Sequence, residues 1–316
     1  MNFRLHALVF ALALLLTAVP AAVAQIRPTD EFTRGVQLYE LGDKKGTIAS
    51  YTAWLEKNSQ DAQAYYNRGV AKSDLGDYDD AIADYDHVVK LDPNYVNAYV
   101  NRGNAKLAKG DNDAAIADYD NVIKLDPKFL AAYNNRGVAK RAMGDNNAAI
   151  ADYELAIGIN PKFAQAYHNR GVDLYLQKNW LKARADFDTA SEQEHGALMA
   201  CVVQTRLGQG EEGRKQLSIR INNRLDTKLD DWVSRLGKFL LGTLDEEALL
   251  RDADSPNVMK SRVQRCEAWY YAGMQHLAAG QKTEAANCFR KSVATEQKTV
   301  DEYALAAAEL KWLEAK

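Results

Sequence analysis

From Ala62 onward, apolar and polar positions follow a rhythm that is helical at short range and repetitive at long range. The stretch from Val96 to Phe129, VNAYVNRGNAKLAKGDNDAAIADYDNVIKLDPKF, holds one run up to Lys109, a glycine at Gly110, a second run up to Leu125 and a proline at Pro127. Glycine tolerates the positive φ at which helices end, and proline lacks the amide proton that would continue one. The stretch therefore predicts two antiparallel helices, A and B. The pattern recurs every 34 residues without a gap: Gly69, Gly103, Gly137 and Gly171 are in step, as are Ala81, Ala115, Ala149 and Ala183, and Tyr85, Tyr119, Tyr153 and Phe187. Such a hairpin cannot bury its apolar face alone and must stack on its neighbours, so the expected fold is an all-α helical-hairpin solenoid.

Numbered from Ala62, each copy carries an aromatic at position 4, Gly at 8, Ala at 20, Tyr or Phe at 24 and usually Pro at 32, with Gly76, Gly110 and Gly144 at 15. Small residues at 8 and 20 let the backbones approach, and the ring at 24 is expected to fill the space between repeats. With this signature the chain resembles the tetratricopeptide-repeat (TPR) family. Five repeats are expected over residues 25–197, the first of them degenerate, with Thr47 at position 20 and Trp54 at 27 as a terminal cap. A decayed helical hairpin follows over 198–223 with Gly208 at its turn, then a helical insert over 224–265 in which Thr243 and Glu246 predict a capping box. A late repeat returns to register over 266–298, and residues 299–316 are expected to form a solvating C-terminal cap.

Two charged positions track each other through the regular block. Arg68, Arg102, Arg136 and Arg170 stand at position 7, and Asp84, Asp118, Asp152 and Asp186 at position 23; in the late repeat both are lost together, to Ala272 and Cys288. Repeat one is the exception, with Arg34 opposite Ser50, but the loss in concert predicts that the two positions face each other between helices A and B as a partly buried ion pair.

In TPR proteins helix A lines the concave face, so the resemblance implies that a ligand meets positions 2, 5, 6, 9 and 12. The candidate peptide-binding residues are Tyr66, Asn67, Asn97, Val100, Asn101, Asn104, Asn134, Asn135, His168 and Asn169. Asparagine offers one acceptor and two donors, which suits the backbone of an extended peptide. Some members grip acidic C-termini with a two-carboxylate clamp, but Val100, Gln165 and Asn169 stand here where that clamp needs basic residues.

Composition and charge narrow the function. The 316-residue chain is 47% hydrophobic with a formal net charge of −3, which leaves no basic footprint for nucleic acid. Residues 1–24 read as a secretory signal peptide: Arg4, an apolar run from Ala7 to Val19, and Ala22 and Ala24 before a predicted cut. No membrane span is expected after cleavage, and the location expected is periplasmic or secreted. Cys201, Cys266 and Cys288 are too few for a disulfide framework and are expected to be buried free thiols. No H-E-x-x-H, G-x-S-x-G, phosphate loop or C-x-x-C occurs, so neither enzyme activity nor a cofactor or metal is expected. The second half, including FLLGTLDEEALL and WYYAGMQHLAAGQKTEAANCFRKSV, resembles bacterial outer-membrane TPR lipoprotein adaptors, although no lipid-anchor cysteine precedes Cys201. That resemblance implies a dimeric scaffold holding another protein, with a link to cell-envelope maintenance. The alternatives are an envelope enzyme, such as a peptidoglycan hydrolase, with an unrecognised site, or a self-assembling structural protein.

Overall fold

Helices form where the periodicity places them. A computed structural model describes residues 30–190, 194–224, 232–298 and 300–315; the signal-peptide expectation lies outside the described residues. Among the described residues there is no strand, and no helix is long and apolar enough to cross a membrane. The chain divides at Ala132 and Tyr133 into two compact units, so the boundary falls inside the expected five-repeat block.

The first unit stacks three hairpins: α1 (Glu31–Glu40) with α2 (Lys44–Leu55), α3 (Ala62–Leu75) with α4 (Tyr78–Leu91), and α5 (Val96–Lys109) with α6 (Asn112–Leu125). Each turn follows from a glycine: Gly76 and Gly110 close their helices at φ 85° and 84°. Within each hairpin the ring at position 24 lies over the glycine at position 8. A Cβ on Gly103 would sit 2.8 Å from Cε1 of Tyr119, a fully buried ring. The ring thus packs against the glycine of its own repeat, which refines the expectation that it fills only the space between repeats. Trp54 is closed in by Phe32, with ring centroids 5.6 Å apart, and its Nε1 donates to Asp61 Oδ2 at 2.8 Å.

The arginine at position 7 ties these hairpins together. Arg102 donates from Nε and Nη2 to both oxygens of Asp118, at 3.0 and 2.6 Å, and from Nη1 to Asp86 of the preceding repeat at 2.6 Å. Lys106 adds a second cation on Asp118 at 2.8 Å, and the Tyr99 ring centroid lies 5.3 Å from the guanidinium carbon. Arg68 repeats the arrangement with Asp84, Thr52 and Tyr65.

The second unit continues with α7 (Leu130–Ala142), which begins just before the division, α8 (Asn146–Ile159), α9 (Ala164–Leu176) and α10 (Trp180–Thr189). The expected decayed hairpin is α11 (Glu194–Arg206) with α12 (Gly210–Arg224); α13 (Trp232–Leu240) and α14 (Glu246–Asp252) follow. Arg136 and Arg170 pair with Asp152 and Asp186 as in the first unit. The predicted capping box does not form. Thr243 Oγ1 donates instead to the Lys238 carbonyl, and Asp245, two residues nearer the helix, accepts from the Ala248 amide.

Helix α15 spans Val258–Ala278, so the helix carrying Cys266 begins well before that residue; α16 (Lys282–Val293) completes the late hairpin. The last helix, α17 (Asp301–Glu314), is not a solvating cap. It packs on α9, α15 and α16, and buries Glu302, Leu305, Ala306 and Glu309, because four turns of one face meet other helices.

This packing sets the outcome of three substitutions. Gly103→Ala lowers the melting temperature, the crowding of Tyr119 costing about 1–3 kcal/mol against a helix-propensity gain of about 1. Gly158→Ala, on an exposed helical site with nothing within 4 Å, raises it. In denaturant melts, Asp118→Ala costs about 3 kcal/mol by leaving two cations half-desolvated. A double-mutant cycle with Arg102→Ala shows strong coupling, and additive effects would exclude the pair as a structural tie.

Candidate functional site

On the helix-A face of the first unit, four aromatic and amide side chains form a hydrogen-bonded patch. Asn101 Nδ2 donates to Tyr66 Oη at 3.0 Å, Tyr95 Oη donates to Gln63 Oε1 at 2.8 Å, and the Tyr66 and Tyr95 rings lie 5.1 Å apart. Asn97 and Asn104 are exposed beside half-buried Val100, and Asn104 also accepts from Tyr119 Oη at 2.8 Å. Asn67 is partly engaged by Tyr51 and Gln63. Of the ten candidate residues, this unit brings together Tyr66, Asn67, Asn97, Val100, Asn101 and Asn104. Gln63 and Tyr95 were missed. Tyr95 was legible, because Tyr95, Phe129 and Phe163 are also one period apart.

In the second unit three of the four candidate residues are buried, and Asn135 is half-buried. Asn134, His168 and Asn169 are buried, Asn169 donating to Asn134 Oδ1 at 2.8 Å and Asn134 to Asn135. Helix α17 is the partner that meets His168. Asp301 accepts from Arg141 Nη2 at 2.9 Å and pairs with His168 Nε2 at 3.1 Å. Burial raises the Asp301 carboxyl, but Arg141 and His168 outweigh it and hold the group well below the usual carboxylate range. Further along α17, Glu309 accepts from Tyr175 and Arg206, while Trp312 packs with Trp180 at 5.5 Å.

Polar groups beneath α17 carry unusual protonation energetics. Asp173 is fully buried with neither oxygen hydrogen-bonded among the described residues; burial, opposed by Arg141 and assisted by Asp301, pushes its carboxyl up to about 7. Glu302 accepts from Tyr271 Oη at 3.1 Å and is pushed up to about 7 by burial and by Glu267. His195, beside Glu267 at 3.5 Å, is raised to about 9, chiefly by that carboxylate. Cys201 and Cys288 are free buried thiols that burial pushes up to about 11, which disfavours the nucleophilic thiolate at neutral pH.

The Asp173 environment fixes a pH dependence. A carboxyl whose folded pKa lies above its unfolded value contributes stability at low pH that is lost as pH rises towards the folded value, here between about 4 and 7. Melts of Asp173→Asn across this window should lack a component of up to about 1 kcal/mol per pH unit, leaving the variant comparatively more stable at pH 8 than at pH 4.

Known proteins agree with this architecture. The model of the family described as Tetratricopeptide repeat matches residues 62–95 and 130–163, and the related TPR repeat model matches 103–144. A tetratricopeptide repeat protein from Parabacteroides merdae ATCC 43184 is similar over 90% of this chain and 97% of its own, at 15% identity and a TM-score of 0.58. The crystal structure of MamA is similar over 51% of this chain and 94% of its own, at 28% identity and a TM-score of 0.48. The first TPR of Spaghetti (RPAP3), solved with the HSP90 peptide SRMEEVD, is similar over 38% of this chain and 95% of its own, at 25% identity and a TM-score of 0.36. No curated protein sequence matches the chain. Paired helices in step with the 34-residue period, each ring seated on its glycine, and family models matching successive repeats make this chain a tetratricopeptide-repeat protein.

Proposed function

We propose that this chain is a protein–protein interaction scaffold whose first-unit helix-A face takes an extended segment of another protein. The carrying observation is the juxtaposition of exposed Asn97 and Asn104 with the half-buried Tyr66, Tyr95 and Val100 surface. Amides can pair with a peptide backbone of any sequence, while the rings and valine favour apolar side chains. The second unit supports the same reading, since its helix-A face receives a polypeptide segment, its own α17, through buried carboxylates and leucine. The leader-like pattern over residues 1–24 supports an exported setting. The resemblance of the second half to outer-membrane adaptors supports a role in the cell envelope.

A single face of this size fits a Kd around micromolar, about −8 kcal/mol. The test is capture of envelope proteins by the full-length chain, followed by titration of the recovered segment. Asn97→Ala with Val100→Asp should weaken binding at least tenfold, and Lys124→Ala on exposed helix B should leave it unchanged. Equal binding by all three proteins would exclude the helix-A face.

A further inference from the structure

His195, Glu267 and Glu302 are far apart in sequence, and no metal motif joins them. The fold brings one ligand atom of each within 4.8 Å of the others, from α11, α15 and α17. Both glutamates are buried, at 6% and 4% exposure, whereas the imidazole is 40% exposed at its side chain. Two carboxylates so placed repel one another in a medium that screens poorly, and one imidazole answers only part of their charge.

The surroundings resemble those of a ligand set more than those of a simple ion pair. The second oxygen of Glu267 accepts from Trp232 Nε1, and Glu302 Oε1 accepts from Tyr271 Oη, so each carboxylate is aimed by a hydrogen-bond donor behind it. Donors of this outer kind orient ligands and tune their basicity. One turn before Glu267, on the same face of α15, Gln264 has a buried Oε1 with no hydrogen-bond partner among the described residues. Ligands around a four-coordinate Zn²⁺ lie about 2.0–2.2 Å from the ion, hence about 3.3–3.5 Å from each other. The His195–Glu267 separation of 3.5 Å already meets that spacing. The exposed edge of His195 leaves an entry path and a fourth position open to water.

We propose that His195, Glu267 and Glu302 bind one divalent first-row cation, Zn²⁺ fitting best, which pins the start of α17 to α11 and α15. A single imidazole with two carboxylates and an open position matches the borderline character of zinc, whereas magnesium and calcium favour all-oxygen shells. The site does not depend on the scaffold reading. It also departs from the sequence expectation of no metal, since three single residues on separate helices carry no spacing signal.

The test uses the full-length protein, stripped with chelator, reloaded with ZnCl₂ and dialysed, with elemental analysis and thermal melts as readouts. About one zinc per chain and a raised melting temperature are expected. His195→Ala, an exposed change, should lower zinc affinity at least tenfold while leaving the metal-free melt close to wild type. Trp232→Phe should weaken binding about tenfold by releasing Glu267. Cobalt loading separates this site from the nearby grouping of Glu246, His276 and Cys288. The proposed ligands give visible d–d bands without a thiolate charge-transfer band. Failure to retain zinc, retention undiminished in His195→Ala, or a thiolate band would each overturn the proposal.

Discussion

The repeated arginine–aspartate pair is the interaction on which the rest of the stacking depends. At Arg102, one guanidinium spends two N–H groups on Asp118 of its own hairpin and a third on Asp86 of the one before. Because the fork is planar and bidentate, the contact is satisfied in one register only, so it fixes the angle between helices A and B and the step between repeats. Its net contribution to stability is modest relative to an apolar substitute. What it adds is specificity: hairpins with nearly identical sequences could otherwise slide along one another. The glycine under each position 24 ring acts in the same direction, since only one depth of insertion seats Tyr119 over Gly103.

The two units use the helix-A face differently. In the first, the Tyr66 and Tyr95 patch is bordered by exposed amides. In the second, α17 delivers three carboxylates into the protein: Asp301 to Arg141 and His168, Glu302 to Tyr271, and Glu309 to Tyr175 and Arg206. These contacts are non-local, and their polar ends resist mispairing better than a purely apolar helix would. They leave residual strain in the charge balance, seen at Asp173, which has no hydrogen-bond partner among the described residues, and at Glu302, which faces Glu267. A fold that needed α17 only as a hydrophobic lid would not bury so many ionisable groups.

Chemistry in this chain lies where the repeat breaks down. Repeats two to five hold the arginine at position 7 and the aspartate at position 23 in fixed pairs, and leave positions 2, 5, 6, 9 and 12 to face a ligand. The strongly displaced carboxyls and imidazole Asp173, His195 and Glu302 belong to the second unit, while in the first unit burial raises the Tyr85 and Tyr119 hydroxyls. Asp173 itself lies on α9 in the regular register, where Arg141 and, from α17, Asp301 act on it; His195 and Glu302 lie on α11 and α17, outside that register.

The sequence by itself determined the all-α repeat, its period, its turns and the Arg–Asp pairing, because each is a local or one-period relation written in residue type: Gly110 for positive φ, Pro127 for a stop, and the counterparts of Arg102 and Asp118 lost together in the late repeat, to Ala272 and Cys288. It also pointed to Asn97, Val100, Asn101 and Asn104 as a face, since helical spacing alone decides which residues share one. Tertiary structure decided what periodicity cannot encode. Where α17 docks is a contact over more than a hundred residues, and it turned His168 from an expected ligand contact into a buried partner of Asp301, while Asn169 is taken up by Asn134 of the preceding hairpin. The cap at Asp245 instead of Thr243 turned on a two-residue choice of helix start. The meeting of His195, Glu267 and Glu302 likewise depends on three helices arriving at one point, a geometric condition that leaves no trace in spacing along the chain.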